Sequence, residues 1–269
     1  MVASYGPVVK SVIPRPALSR RCDVLAPMAD PASRPALLVL VRHGQSQRNI
    51  VKKQNRFYLD DESRKAVKGV PDHLIELTDE GRRQSRETGV ALRDAYGMFD
   101  YIVHSGYART VQTLDHMLEA YTPEERARMR IRHHLFVRER DGGHAYDMTD
   151  AEAQAAFPWL QEYWTTFGPF FARPPGGESL APVCERVYAF LQKLARTMAG
   201  KRVLVVSHGG TIWCFRYVLE RWTYEEAERR FRTESIGNCS VTSYRFSGET
   251  GRLELSDCAR VLWGSQRTS

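Results

Sequence analysis

The sequence predicts an α/β protein, a three-layer αβα sandwich with a mostly parallel central sheet and helices on both faces. Two short apolar runs rich in β-branched residues, 37–41 and 203–207, are typical of buried parallel strands. A histidine and a glycine follow each run. His208-Gly209 comes directly after the second run, and His43-Gly44 comes one residue after the first. Because open α/β sheets bind ligands at the carboxyl ends of their strands, the two histidines are expected to meet if these strands are neighbours.

The rest of the chain alternates between strand-like and helical segments. Thr78 is a predicted N-cap, with Asp79 and Glu80 in the first turn, for a helix that ends near Gly97. The other predicted elements are a strand at 100–104, a helix around 111–118, a strand at 129–137, a partly helical aromatic segment at 149–171, helices at 180–199 and 211–219, and a closing hairpin of 238–246 and 252–256. Residues 49–73 form a polar insertion after the first strand.

The first 35 residues differ in composition from the remainder. The 269-residue chain is therefore divided into an extension, 1–35, and one α/β domain, 36–269. Closely spaced prolines disfavour a helix or an inner strand, so the extension is interpreted as disordered, or as the product of a start codon upstream of Met28. An organelle transit peptide is the alternative, because the segment is rich in arginine and poor in acids.

Composition argues against several classes of protein. No apolar stretch is long enough to cross a bilayer, so a soluble chain without a membrane partner is expected. The five cysteines are scattered, which argues against a disulfide scaffold or a zinc site and favours the reducing cytoplasm. A net charge of +7 would permit nucleic-acid binding, but no nucleic-acid fold signature accompanies it. We therefore expect phosphorylated substrates and no nucleic acid.

Six motifs resemble those of the histidine phosphatase (phosphoglycerate-mutase-like) superfamily, in the order that the family has them. They are Arg42-His43-Gly44-Gln45-Ser46 with Asn49, Leu77-Thr78-Asp79-Glu80-Gly81, Ser105 with Arg109, Gln112 and Thr113, Glu139-Arg140 with Gly143, Gly177-Glu178-Ser179, and Ser207-His208-Gly209-Gly210. Together they cover nearly everything from Ala36 onward. The chain is therefore identified as a member of that superfamily, with its phosphoglycerate-mutase-like fold.

The resemblance implies a phosphohistidine intermediate on His43. Arg42 and Arg109 suit the transition state of phosphoryl transfer, because a guanidinium group offers a planar, charged fork to phosphate oxygens. His208 is expected to donate a hydrogen bond to the same oxygens. The expected phosphate pocket is completed by Asn49, Gln45, Ser46 and Gly209.

Departure of the leaving group needs a proton donor. The resemblance implies that Glu139 is the general acid, with Asp141 as the alternative. The role of Glu178 is left open: it either acts chemically or orients a loop or an arginine. No set of residues has metal-site spacing and no glycine-rich nucleotide loop occurs, so neither a metal nor a cofactor is expected. The remaining histidines are interpreted as structural or surface residues: His73, His104, His116, His133, His134 and His144.

Phosphatases and phosphoglycerate mutases of this superfamily share the phosphohistidine step. The acid motif of mutases is typically Glu-Arg-x-Tyr-Gly, whereas Gly142 stands in the Tyr position here and the basic residues that follow in mutases are missing. We predict a metal-independent phosphatase for a phosphorylated small molecule or phosphoprotein, with a cofactor-dependent mutase as the alternative. A non-catalytic phosphate-binding module is disfavoured because all the motif residues are present. The substrate and a homodimer are left open.

Overall fold

A six-stranded mixed sheet lies at the centre of the computed structural model, which describes residues 34–52 and 57–264. The strands are β1 (Leu37–Arg42), β2 (Tyr101–His104), β3 (Arg130–His133), β4 (Arg202–Ser207), β5 (Ser240–Ser247) and β6 (Arg252–Val261). Their order is β3-β2-β4-β1-β5-β6; the first four are parallel, β5 is antiparallel to β1, and β6 is antiparallel to β5. The prediction that the strands before His43 and His208 are parallel neighbours is confirmed.

Helices cover both faces of this sheet. In the described part of the chain they are α1 (Gln47–Lys52), α2 (Asp61–Arg64), α3 (Asp79–Tyr96), α4 (Ala108–Leu118), α5 (Pro123–Arg128), α6 (Asp150–Ala156), α7 (Leu160–Phe171), α8 (Leu180–Thr197), α9 (Gly209–Glu220) and α10 (Tyr224–Thr233). Short 3₁₀ turns occupy Asp72–Leu74, Leu135–Val137 and His144–Asp147. None of the helices described is long and apolar enough to cross a membrane.

The two faces of the sheet carry separate apolar cores. Leu38 and Leu40 of β1 pack with α8 and α9, whereas Val39 and Val41 pack with α3 and α4. Successive side chains of a strand point to opposite faces, so an unbroken apolar strand is needed to serve both cores. Burial of each such side chain contributes about 1.5–3 kcal/mol. The predicted αβα layering is confirmed, and it holds β1 and β4 rigidly in the middle.

Most predicted elements are present, and two differ in length. The Thr78 hydroxyl accepts a hydrogen bond from the N–H of Gly81, as expected of an N-cap, and α3 ends at Tyr96 with Gly97 as its C-cap. The predicted strand at 129–137 is wrong in length, because β3 has only the four partners that β2 offers and then gives way to a 3₁₀ turn. The second hairpin strand extends past the predicted end to Val261, because it pairs with β5 across an irregularity in the register.

Residues 1–33 of the predicted extension lie outside the described residues, so its disorder and the boundary at residue 36 stay predictions. The described chain begins beside the sheet: the carbonyl oxygen of Arg34 accepts a hydrogen bond from the N–H of Gly200, 2.8 Å away.

Two glycines allow the turn after β1 to approach the start of α3. A Cβ on Gly81 would lie 2.0 Å from the carbonyl oxygen of Gln45, and one on Gly44 would lie 2.5 Å from the carbonyl oxygen of Gly81. These neighbours are backbone atoms, which cannot rotate away as a side chain would. The turn that presents His43 therefore depends on glycine at both positions.

Gly81→Ala should lower the free energy of unfolding by about 2 kcal/mol or more, because the added methyl group overpacks a backbone contact. Chemical denaturation at neutral pH measures the loss. Gly248→Ala is the matched control, since a Cβ there meets nothing within 4 Å, and it should change stability by less than about 0.5 kcal/mol. Equal stability of the two variants would contradict the close approach.

Candidate active site

β1 carries His43 to the carboxyl edge of the sheet, where the side chain is only 3% exposed. Its backbone N–H donates to the carbonyl oxygen of Ser207 at the end of β4. The side-chain Nδ1 lies 2.7 Å from the carbonyl oxygen of Gly44. Because a carbonyl oxygen only accepts, Nδ1 carries the proton of a neutral ring and Nε2 holds the lone pair. No residue among those described forms a hydrogen bond with Nε2.

His208 follows β4 and lies beside His43, with 5.2 Å between the ring centroids. Its Nε2 is 2.8 Å from the hydroxyl oxygen of Ser105. Its Nδ1 is buried without a hydrogen-bond partner in the described structure, and lies 4.0 Å from Oε2 of Glu139. Buried polar atoms are nearly always paired, so this nitrogen can form a hydrogen bond with a polar group that enters the site.

Burial is the main cause that keeps both histidines neutral. It holds the pKa of His43 and of His208 well below the ordinary value, and the positive charges of Arg109 and Arg42 lower both further. A neutral imidazole has a lone pair and can act as a nucleophile, whereas an imidazolium cannot. The site therefore combines fixed cations with two uncharged rings.

Arg42 and the start of α9 supply further donors next to His208. The guanidinium Nη1 of Arg42 donates to the carbonyl oxygen of Ile236 at 2.6 Å, while Nε is buried and has no partner among the described residues. α9 begins at Gly209 without a side-chain cap, and a Cβ on Gly209 would lie 3.5 Å from Nε of Arg42. Free N–H groups at a helix start favour anions. These donors together suit a phosphoryl group.

Glu139 lies beside the start of α9 and next to His208. Its Oε1 accepts a hydrogen bond from the N–H of Arg140, and a Cβ on Gly210 would lie 3.0 Å from that oxygen. The side chain is 24% exposed, so it can exchange protons with water. The other candidate acid, Asp141, is exposed, and its carboxylate accepts from the N–H of Gly143.

Glu178 holds the segment that carries these two acids. Its carboxylate accepts two hydrogen bonds from Arg138, at 2.7 and 2.9 Å, and one from the N–H of Asp141 at 2.9 Å. Arg138 and Arg186 help to lower the pKa of Glu178 to about 2 although burial opposes the shift. These contacts are those of a residue that orients an arginine and a loop, which is one of the two roles that the sequence left open for Glu178.

The structure places Gln45, Ser46 and Asn49 around the turn after β1. The side-chain oxygen of Gln45 accepts from the Thr78 hydroxyl, so this amide reaches toward the start of α3. The backbone N–H and the hydroxyl of Ser46 both donate to Oδ1 of Asn49. That oxygen also accepts from Asn238, whose amide binds the carbonyl oxygen of His43 as well. That these three residues contact the phosphate directly stays a prediction.

Arg109 lies in the first turn of α4, as predicted, but the sequence did not reveal its partner. Its guanidinium donates to the carboxylate and the carbonyl oxygen of Asp72. Asp72, Tyr146 and Asn238 were all missed, because they lie in irregular segments and belong to no motif. The only signal was the polar character of residues 49–73, which contain Asp72.

Within residues 34–52 and 57–264, no group of three or more His, Cys, Asp or Glu side chains could hold a metal ion. Two of the histidines interpreted as structural or surface residues have side-chain partners. His116 lies 2.6 Å from a carboxylate oxygen of Glu119, and His134 lies 3.1 Å from the ammonium group of Lys193.

Comparison with known proteins identifies the class to which this fold and site belong. The profile of the histidine phosphatase superfamily (branch 1) matches residues 38–258, and the chain belongs to this superfamily. The members that it resembles are phosphatases or mutases.

Individual relatives carry both kinds of name. The chain is 29% identical to the phosphoglycerate mutase-like protein AT74H of Arabidopsis thaliana over 87% of its length and 83% of the relative's. It is 35% identical to a 2,3-bisphosphoglycerate-dependent phosphoglycerate mutase of Methylobacterium radiotolerans over 70% of its length and 80% of the relative's. In fold it is similar to the mycobacterial glucosyl-3-phosphoglycerate phosphatase in complex with VO3, with a TM-score of 0.61, 24% identity, and coverage of 84% of this chain and 99% of that one.

The two buried histidines should make stability depend on pH between 7 and 5. Their pKa values are lowered in the folded state, so the unfolded chain binds protons first as the pH falls through about 6.5. Stability is therefore full above that pH and declines below it, by up to about 2 kcal/mol per histidine at pH 5. Denaturant unfolding of His43→Asn and of His208→Gln should each show a correspondingly smaller decline.

These replacements keep the donor to Gly44 and the contact to Ser105, respectively, so the folds should remain intact. His73→Gln, at an exposed position, is the control for the loss of a histidine as such. Wild-type stability that did not change between pH 7 and pH 5 would show that the imidazoles are not buried and neutral.

Proposed function

We propose that the protein is a phosphomonoester hydrolase that works through a phosphohistidine on His43. One observation supports this most: the neutral ring of His43 is held at Nδ1 by a backbone carbonyl, and its Nε2 is uncommitted beside unpaired donors. A nucleophile for phosphorus needs this combination of a free lone pair and surrounding positive charge. A phosphorylated small molecule or a phosphoprotein is the proposed substrate class.

In the proposed first step, the lone pair on Nε2 of His43 forms a bond to phosphorus while the phosphorus–oxygen ester bond breaks. Glu139 gives its proton to the departing oxygen. Arg42 and Arg109 balance the charge on the equatorial oxygens, and His208 donates from Nδ1 while its Nε2 accepts from the Ser105 hydroxyl. In the second step, the oxygen of a water molecule forms a bond to phosphorus while the phosphorus–Nε2 bond breaks and its electron pair returns to His43. Glu139 takes up the proton of the water, and inorganic phosphate leaves.

A phosphoglycerate mutase is the second candidate, because several relatives bear that name. Gly142, which replaces the Tyr of the mutase acid motif, argues against it. A Cβ on Gly142 would lie 3.0 Å from the ring of Tyr146, so the Tyr146 ring fills the space above the glycine. The pocket wall is thus built from a different residue here, and this favours the phosphatase.

The four described cysteines are unpaired, which supports the proposed cytoplasmic location.

The nucleophile and the acid can be separated by leaving group. His43→Asn should abolish turnover and formation of the phosphoenzyme. Glu139→Gln should slow hydrolysis of alkyl phosphates by about a hundred- to ten-thousand-fold, but hydrolysis of activated aryl phosphates much less, because an aryl leaving group needs little protonation. Steady-state kinetics with a series of leaving groups of different pKa measures this difference.

Asp141→Asn is the matched control, since it removes the neighbouring carboxylate and leaves Glu139 in place. A defect in Glu139→Gln that is the same for alkyl and aryl phosphates would show that Glu139 is not the acid. A leaving-group-dependent defect in Asp141→Asn would transfer that part to Asp141.

The two candidate activities predict different behaviour with an aryl phosphate. A phosphatase should release inorganic phosphate at a rate that EDTA leaves unchanged, since arginines supply the positive charge, and 2,3-bisphosphoglycerate should not be required. Vanadate, which mimics five-coordinate phosphorus, should inhibit it. Phosphate release and conversion of 3-phosphoglycerate to 2-phosphoglycerate are measured in parallel. Conversion without net release would favour the mutase, and activity restored by magnesium after EDTA would contradict both.

A further inference from the structure

Asp72 occupies one edge of the Arg109 guanidinium. Nη1 donates to the carbonyl oxygen of Asp72 at 2.6 Å and to Oδ1 at 3.1 Å, and Nη2 donates to Oδ2 at 3.2 Å. The two side chains are only 5% and 22% exposed. A guanidinium has five N–H groups. The contacts to Asp72 use Nη1 and one N–H of Nη2, and they leave the lateral edge, Nε–H and the other N–H of Nη2, for a second anion.

Asp72 is itself held by two residues. The Tyr146 hydroxyl donates to Oδ1 at 2.7 Å, and Nη1 of Arg48 donates to the same oxygen at 3.2 Å. The Cζ of Arg48 lies over the Tyr146 ring, 3.3 Å from its centroid, and Nη2 of Arg48 donates to the Tyr146 carbonyl oxygen at 3.1 Å. Burial opposes ionisation of Asp72, but Arg109 and Arg48 hold its pKa below the ordinary value. The carboxylate is therefore charged and fixed.

The arginine that Asp72 holds lies next to the two histidines. The Cζ of Arg109 is 4.9 Å from the centroid of the Tyr107 ring, and that ring is 5.0 Å from the ring of His208. Within the described residues, Asp72 is the acid that pairs with this buried arginine. An arginine with a long side chain would otherwise sample several rotamers in the pocket.

We propose that Asp72 is a positioning residue that fixes the Arg109 guanidinium by its terminal edge, so that the other edge faces the phosphoryl group on His43. The proposal rests on the proposed function. Phosphoryl transfer depends on charges placed to within a fraction of an ångström, and misplacement by about 1 Å can lower the rate about a hundred-fold. Asp72 acts through Arg109 and does not touch the substrate.

The test is a double-mutant cycle of Asp72→Asn and Arg109→Lys with an activated aryl phosphate. Asp72→Asn keeps the shape of the side chain but loses the charge and one acceptor, so kcat should fall about 10- to 100-fold, with a smaller change in KM. Affinity for vanadate, measured by calorimetry, should fall with kcat. A lysine has no planar guanidinium that a carboxylate could hold by one edge. In the Arg109→Lys background, Asp72→Asn should therefore lower kcat by less than a further factor of about two.

Asp147→Asn is the matched control. Asp147 lies on the same 3₁₀ turn as Tyr146 and accepts from the N–H of Gly69, without a contact to Arg109. It should turn over like the wild type. Should Asp72→Asn fail to fold, Tyr146→Phe removes one of the bonds to Asp72 and should lower kcat by a few-fold, again only when Arg109 is present.

Three results would overturn the proposal. Wild-type kinetics in Asp72→Asn would show that Arg109 is positioned without it. Tighter vanadate binding and faster turnover would show that Asp72 competes with the substrate for Arg109. A loss that persists in the Arg109→Lys background would show a purely structural part. The proposed function fails separately, if the wild type forms no phosphohistidine or if His43→Asn retains turnover.

Discussion

The parallel pairing of β1 with β4 determines where the two candidate catalytic histidines lie. Six residues of each strand are in register, from Leu37 opposite Arg202 to Arg42 opposite Ser207. The N–H of His43 continues the ladder by donating to Ser207. The two histidines that follow the strands are thus placed side by side by backbone hydrogen bonds and by two apolar cores. A shift of one residue in this register would move the imidazole ring of one histidine to the opposite face of the sheet.

Electrostatics gives the site its second constraint. Arg42 and Arg109 are largely buried within a short distance of two uncharged imidazoles, although buried charge normally opposes folding. Asp72 neutralises Arg109, and one edge of Arg42 is satisfied by a backbone carbonyl. The polar atoms that have no partner among the described residues, Nε of Arg42 and Nδ1 of His208, lie together at the site. Sites of function commonly depart from full polar satisfaction in this way.

The parts of the fold that the sequence predicted are those set by short-range patterns. The apolar runs of β1 and β4, the cap of α3 by Thr78 and the glycines after the histidines can be recognised within a few residues. The length of β3 could not be predicted in this way, because it depends on the partner strand β2 and not on the composition of β3 itself. Asp72 and Tyr146 could not be found either, since they meet Arg109 through irregular segments with no periodicity. The orienting contacts of Glu178 with Arg138 likewise appear only in three dimensions.

The bond from Nδ1 of His43 to the carbonyl oxygen of Gly44 has a consequence for how the sequence can vary. The acceptor belongs to the main chain of Gly44, so it depends on the path of the turn and not on the chemistry of a side chain. Substitutions among neighbouring side chains leave the tautomer of His43 unchanged as long as the turn keeps its path. Sequence drift can therefore remodel the walls of the pocket while the tautomer of the proposed nucleophile stays constant.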